Sequence, residues 1–271
     1  MLTRFDARSV AVTRILVGIA AVLLAVEDYG LLMPAATDHI AIPLFEAWGA
    51  VTPLEVWTIV IVSVVAGILL SVGLFSRTAA AVAALSSLAA LLVEQQTYSS
   101  HQVLATLMCF YLVFADPGAR FSLDSRIRGF VRQSVSRFPV TLMLTQVSVV
   151  YLFAAISKLN PVYLAGTVMS TAMIVPLPQP LPLLFAVSSI GLELFLAFAL
   201  WFRRTTTIAI ILGVGFHFVI AAMLHNPLPL WSFGLLMAST YPLFIARDPG
   251  VLRQWADAYA YARRTRLGAS R

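Results

Sequence analysis

Lys158 is the only lysine in a chain of 271 residues; every other one of its 18 basic residues is an arginine. It ends the apolar run Val149–Ser157, and the sequence beyond it stays uncharged for many residues. An ammonium at the edge of hydrocarbon is costly to keep. Lysine is also the basic side chain that gives up its proton readily when desolvated, so it can act as a general base, which arginine cannot. A helix-end lysine that snorkels to the interface is the competing reading. Rarity alone does not decide between them, because the whole chain is biased toward Ala, Val, Leu and Arg.

Few other polar groups lie in apolar surroundings. Glu27 and Asp28 end the first apolar run, Glu94 ends the third and His101 begins the fourth. Gln146 and Tyr151 lie on the run that leads to Lys158, and His225 ends the seventh. Glu193 and His217 fall deep within adjacent runs. Burying either alone is costly, so the two are expected to hydrogen-bond or to face one cavity. Ionisable groups within a membrane usually face one another. Together these residues predict one polar cavity that opens outward. Lys158, His101, Glu193, His217, Tyr151, Gln146 and His225 are expected to line or support it. No His-x-x-x-His, His-Glu-x-x-His or Glu-x-x-His spacing occurs, so no metal site is expected. The single cysteine, Cys109, rules out an intrachain disulfide and a paired-thiol redox mechanism.

The elements that must position these groups are transmembrane helices. The chain is 60% hydrophobic and 11% charged, against roughly 25% charged in soluble domains. Apolar runs predict an all-α polytopic bundle of eight spans: Val10–Tyr29, Trp57–Phe75, Thr78–Val93, Val103–Ala115, Thr141–Ser157, Leu181–Trp201, Thr206–Leu224 and Leu230–Phe244. Arginines fill every second break, including Arg77, the group Arg120 to Arg137, and Arg203 with Arg204. The alternate breaks hold Asp38, His39, Glu46 and Glu55, then Glu94 and His101, then Lys158, then His225. This alternation predicts both termini in the cytoplasm of a multi-pass cell-membrane protein. It also explains the net charge of +6 without a nucleic-acid partner. One membrane domain over residues 1–247 is expected, followed by a basic tail, Asp248–Arg271, that reads as an amphipathic helix on anionic lipid. The outer segments Met33–Pro53 and Asn160–Pro180 are too long for tight turns and are expected to fold back as a roof. In the break Asp116–Pro139, Ser-Leu-Asp reads as the cap of a short helix.

Three stretches carry a family resemblance: QQTYSSHQVLATLMCFYLVFADPGARFSLD, YLFAAISKLNPVYLAGTVM and GLELFLAFALWFRRTTTIAIILGVGFHFVIAAML. In this order they resemble the horizontally transferred transmembrane (HTTM) domain, the membrane part of vitamin K-dependent γ-carboxylase and its bacterial relatives. The resemblance runs from about Arg14 to Phe244. It implies that Lys158 is the base that deprotonates a vitamin K-like hydroquinone, with His101 assisting. It thus implies a reduced quinone as cofactor and quinol-linked oxygen chemistry. Ala155 stands where the family usually has glycine, and Tyr163 where it usually has tryptophan. No soluble substrate-recruiting domain follows, so the cavity, the base and the quinol chemistry carry over rather than peptide carboxylation. The alternative is a non-enzymatic membrane protein that binds a lipid or assists maturation or export of a secreted peptide.

Overall fold

The computed structural model describes residues 4–37 and 41–247. It is an all-helical bundle in which apolar runs become α1 (Ala7–Thr37), α2 (Pro53–Val72), α3 (Ser76–Val93) and α4 (Ser100–Phe114). Then come α5 (Leu123–Ile127), α6 (Arg137–Ser157), α7 (Pro161–Leu164), α8 (Thr167–Ala172), α9 (Leu181–Ala199), α10 (Thr206–Met223), α11 (Pro227–Ser239) and α12 (Tyr241–Arg247). Seven segments are long and apolar enough to cross a membrane, with α11 and α12 together forming one of 21 residues. The eighth expected span, α4, is apolar but only 15 residues long, about 22 Å at 1.5 Å per residue. The expected amphipathic tail lies outside the described residues, as do Asp38 and His39.

The bundle is organised by short-range rules of sequence. Pro53 opens α2 behind a capping box, in which Thr52 Oγ1 accepts from Glu55 N–H and the Glu55 carboxylate accepts from Thr52 N–H. α1 runs past its expected end to Thr37 and contains Pro34, so the start of the predicted outer loop is helix. α1 and α2 cross closely because both are small at the contact. A Cβ on Gly67 would lie 2.8 Å from Val22 Cγ2 and 2.9 Å from the Gly18 carbonyl. Small residues at the crossing are what membrane helices use to approach.

Two charged side chains hold the end of the bundle where the chain begins. Arg14 is fully buried; its Nη1 donates to the Leu70 carbonyl at 2.8 Å and its Nη2 to the Phe121 carbonyl at 2.7 Å. It thereby satisfies the last turn of α2, where orphan carbonyls and the negative dipole end favour a cation. Gly73 follows with φ +75°, and a Cβ there would collide with the Arg14 guanidinium. Asp124 does the reverse for α3. Its Oδ1 accepts from Phe75 N–H and its Oδ2 from Ser76 N–H and Ser76 Oγ–H. Burial pushes this carboxyl up, but those bonds and the nearby Arg128 charge outweigh burial and hold it below its ordinary value. Ser122 caps α5, accepting from Ser125 N–H at 3.0 Å. The Ser-Leu-Asp motif therefore caps two helices, the short one expected and the transmembrane one behind it. Strands β1 (Arg4–Asp6) and β2 (Ser134–Ser136) pair antiparallel beneath α6.

The opposite end is closed by two folded-back segments. Glu94, fully buried, accepts from Ile42 N–H (2.9 Å) and Gln96 N–H (3.1 Å), which pins the segment after α1 over α3. The segment between α6 and α9 forms a strap. Asn160 caps α7 by accepting from Tyr163 N–H, and α8 is tied across to the end of α10. The ties are Ile174 N–H to the Met223 carbonyl and His225 N–H to the Ala172 carbonyl, each 2.9 Å.

Candidate functional site

Beneath this strap lies a cavity of about 1200 Å³ walled by α4, α6, α9, α10 and α11. Most of its lining is apolar: Val149, Val150, Phe153, Leu192, Phe216 and Phe233 among others. Tyr163, Met169 and Met173 of the strap roof it. Exposed apolar side chains, including Phe153, Ile211 and Val219, belong to the same wall. The cavity therefore meets the apolar perimeter of the bundle sideways. The strap covers part of the end at which the cavity was expected.

Lys158 caps the C-terminus of α6, yet its side chain turns into the bundle. Its Nζ donates to Glu193 Oε1 of α9 at 2.5 Å, and it lies 5.6 Å from the centre of the Tyr163 ring. Snorkelling would have sent it the other way. The Tyr163 hydroxyl is held at 2.7 Å from Ser189 Oγ, which fixes the ring beside the ammonium. Glu193 is almost wholly buried, and its Oε2 has no hydrogen-bond partner among the described residues. A buried acceptor left open beside a cavity is the position a ligand hydroxyl would satisfy. Gln146 lines the same cavity from α6.

The remaining expected site residues stand elsewhere. His217 is buried, but it does not line the cavity and does not bond Glu193. Its Nε2 lies 3.0 Å from the Tyr151 hydroxyl, which is 2.7 Å from the Tyr241 hydroxyl. The deep acid's partner is thus Lys158, reached from a helix end, and not the histidine at similar depth. Tyr151 is likewise buried behind the wall. His101 Nε2 lies 2.9 Å from Glu27 Oε1 and 3.2 Å from Ser99 Oγ. It too is outside the lining. The Phe233 ring, which does line the cavity, packs 6.4 Å from the His101 ring and 5.4 Å from the His217 ring. A shared wall for Lys158 and His101 is therefore corrected: Lys158 lines the cavity, and His101 lies behind the Phe233 ring. His225 is exposed at the strap tie. Sequence reasoning missed Gln102, whose Nε2 donates to both carboxylate oxygens of Asp28 at 2.9 and 2.7 Å. It also missed Tyr241 as the third member of the deep network. No periodic signal marks either one, since each becomes polar partner only through a helix distant in sequence.

An apolar, laterally accessible cavity with one buried ion pair in its wall, inside a polytopic helical bundle, defines an integral membrane protein. Residues 3–248 match the HTTM domain. The chain belongs to that family, as the three resembling stretches implied. No curated protein and no solved structure matches it.

Proposed function

We propose that the cavity binds a lipid-soluble hydroquinone and that the Lys158–Glu193 pair takes a proton from it. The observation that carries this reading is the 2.5 Å contact between Lys158 Nζ and Glu193 Oε1 in an otherwise apolar wall. An isoprenoid quinol needs apolar walls for its ring and tail, an entrance from the bilayer and a proton acceptor at its hydroxyl. Phe153 and Phe216 supply the first, and the exposed flank at Ile211 and Val219 the second. A bound hydroquinone would supply a phenolic hydroxyl and, once deprotonated, an electron-rich ring able to react with oxygen. The protein's part is proton management. Lys158 passes one of its protons to Glu193 and accepts the hydroxyl proton in its place. The pair ends as an ammonium facing the new anion and a neutral carboxyl behind it. Low polarity around the pair strengthens that final ion contact. The Tyr163 ring packs beside the Lys158 ammonium. Gln146, which lines the same cavity, would hydrogen-bond the far hydroxyl, and Glu27–His101 would support the wall through Phe233.

The cavity end of the bundle is the outer face in this reading, because arginine-rich breaks lie at the other end. Reporter fusions after Arg77 and Arg204 are expected to report cytoplasm, and fusions near Ser100 and Gln179 the outside; two neighbouring sites on one side would overturn the orientation. Binding is tested on purified protein with a reduced short-chain naphthoquinol under anaerobic conditions. Native mass spectrometry is expected to show one quinol retained by the wild type. Gly215→Trp, which fills the cavity from an α10 position with no atoms near its Cβ, is expected to lose it while keeping its melting temperature. Equal retention by both would contradict the reading. The apolar walls also favour a second reading, in which a lipid is held without chemistry, and Lys158→Met separates the two. A holder keeps its lipid in this variant and has no turnover to lose.

A further inference from the structure

A second recess lies at the far end of the bundle from Lys158, between the start of α3 and the break before α6. It measures about 550 Å³ and is lined by Phe75, Arg77, Asp116, Asp124, Arg128 and Arg132, together with smaller residues of the same two segments. We infer that this recess binds the phosphate headgroup of an anionic membrane phospholipid.

Donor and acceptor accounting carries the inference. Two carboxylates line the recess, and both are consumed by the protein. Asp116 Oδ1 accepts from Arg77 Nη2 and its Oδ2 from Arg132 Nη1, each at 2.7 Å. Both oxygens of Asp124 accept from the first turn of α3. The acceptors facing the recess are therefore saturated, while its donors are not. A guanidinium carries several N–H groups in a planar fork. Arg77 and Arg132 commit only one nitrogen each to Asp116, and the Arg128 guanidinium makes no hydrogen bond among the described residues. Three arginines against two spent carboxylates leave a cavity of donors with a net positive charge, and planar forks suit phosphate oxygens. The rim identifies the source of the phosphate. Phe75 and Phe130 line the recess and are exposed, with exposed Phe121 and Ile127 beside them. Such rings at the end of a transmembrane helix sit where acyl chains begin. A free phosphate would use the arginines but not the aromatic rim. A basic pocket at this level of a membrane bundle suits a lipid headgroup.

The test uses the whole protein in neutral detergent, with phosphatidylglycerol, phosphatidylcholine or inorganic phosphate added. Phosphatidylglycerol is expected to raise Tm by about 3–6 °C, the other two by far less. Arg128→Gln removes a guanidinium with no internal hydrogen bond, so it should fold as the wild type does while retaining phosphatidylglycerol at least fivefold less in native mass spectrometry. Arg204→Gln, an exposed arginine of another break, should retain it fully. Equal stabilisation by phosphatidylcholine would overturn the headgroup assignment, and equal stabilisation by inorganic phosphate would overturn the lipid source. Unchanged retention by Arg128→Gln, or an equal loss in Arg204→Gln, would overturn the site.

Discussion

Lys158→Met is expected to destabilise the protein by on the order of 3 kcal/mol, and Lys158→Met combined with Glu193→Leu to recover most of that loss. The single change strands a carboxylate 4% exposed in a wall with no other cation within hydrogen-bond reach among the described residues. The double change removes both charges and leaves an apolar wall, which costs little in an already apolar cavity. Glu193→Leu alone should cost less than Lys158→Met. Lys158 caps a helix end and keeps 23% of its side chain exposed, so an unpaired ammonium can swing to water while the acid cannot. The check is a double-mutant cycle on thermal melting in detergent. Additive single effects would show that the two side chains do not stabilise one another.

Arg14→Leu is expected to cost a similar amount, on the order of 3 kcal/mol. It leaves the Leu70 and Phe121 carbonyls without the donors that now reach them and removes the cation at the negative end of α2. Arg14→Lys should rescue only part of this. One ammonium on a flexible stem does not reproduce a planar fork that spans two carbonyls on different segments. Melting temperature and detergent-solubilised yield of the two variants measure it. Arg14→Leu with wild-type stability would mean that water replaces the guanidinium at no cost.

These two residues also mark the boundary of what the sequence discloses. Apolar run length gave the helices, because a span must satisfy its backbone internally and so must be long and uninterrupted. The folded-back strap could be read from its length and its prolines, and the Ser122 cap from its local spacing. Position along a span gives depth but not azimuth. Glu193 and His217 share a depth and looked like partners, yet both turn to α6 at different levels: Glu193 to Lys158 at its end, and His217 to Tyr151 within it. A lysine at a helix end also has a stem long enough to reach either water or the interior, and only the packing of α6 against α9 decides between them. The sequence does not reveal the role of Arg14, because an arginine buried as a helix cap has the same sequence surroundings as one at the interface. Glu94 and Asp124 read as boundary or local residues for the same reason, although each bonds the backbone of a segment some 50 positions away.

The central claim is that Lys158 moves a proton and does more than hold a charge. Oxygen consumption driven by a reduced naphthoquinol, measured for wild type and Lys158→Arg at matched yield and melting temperature, tests it most directly. Arginine keeps the charge opposite Glu193 but does not release a proton. The account requires the wild type to turn over and the arginine variant to lose at least a hundredfold in rate, within the range general-base catalysis supplies. Full quinol-driven turnover by Lys158→Arg would contradict it.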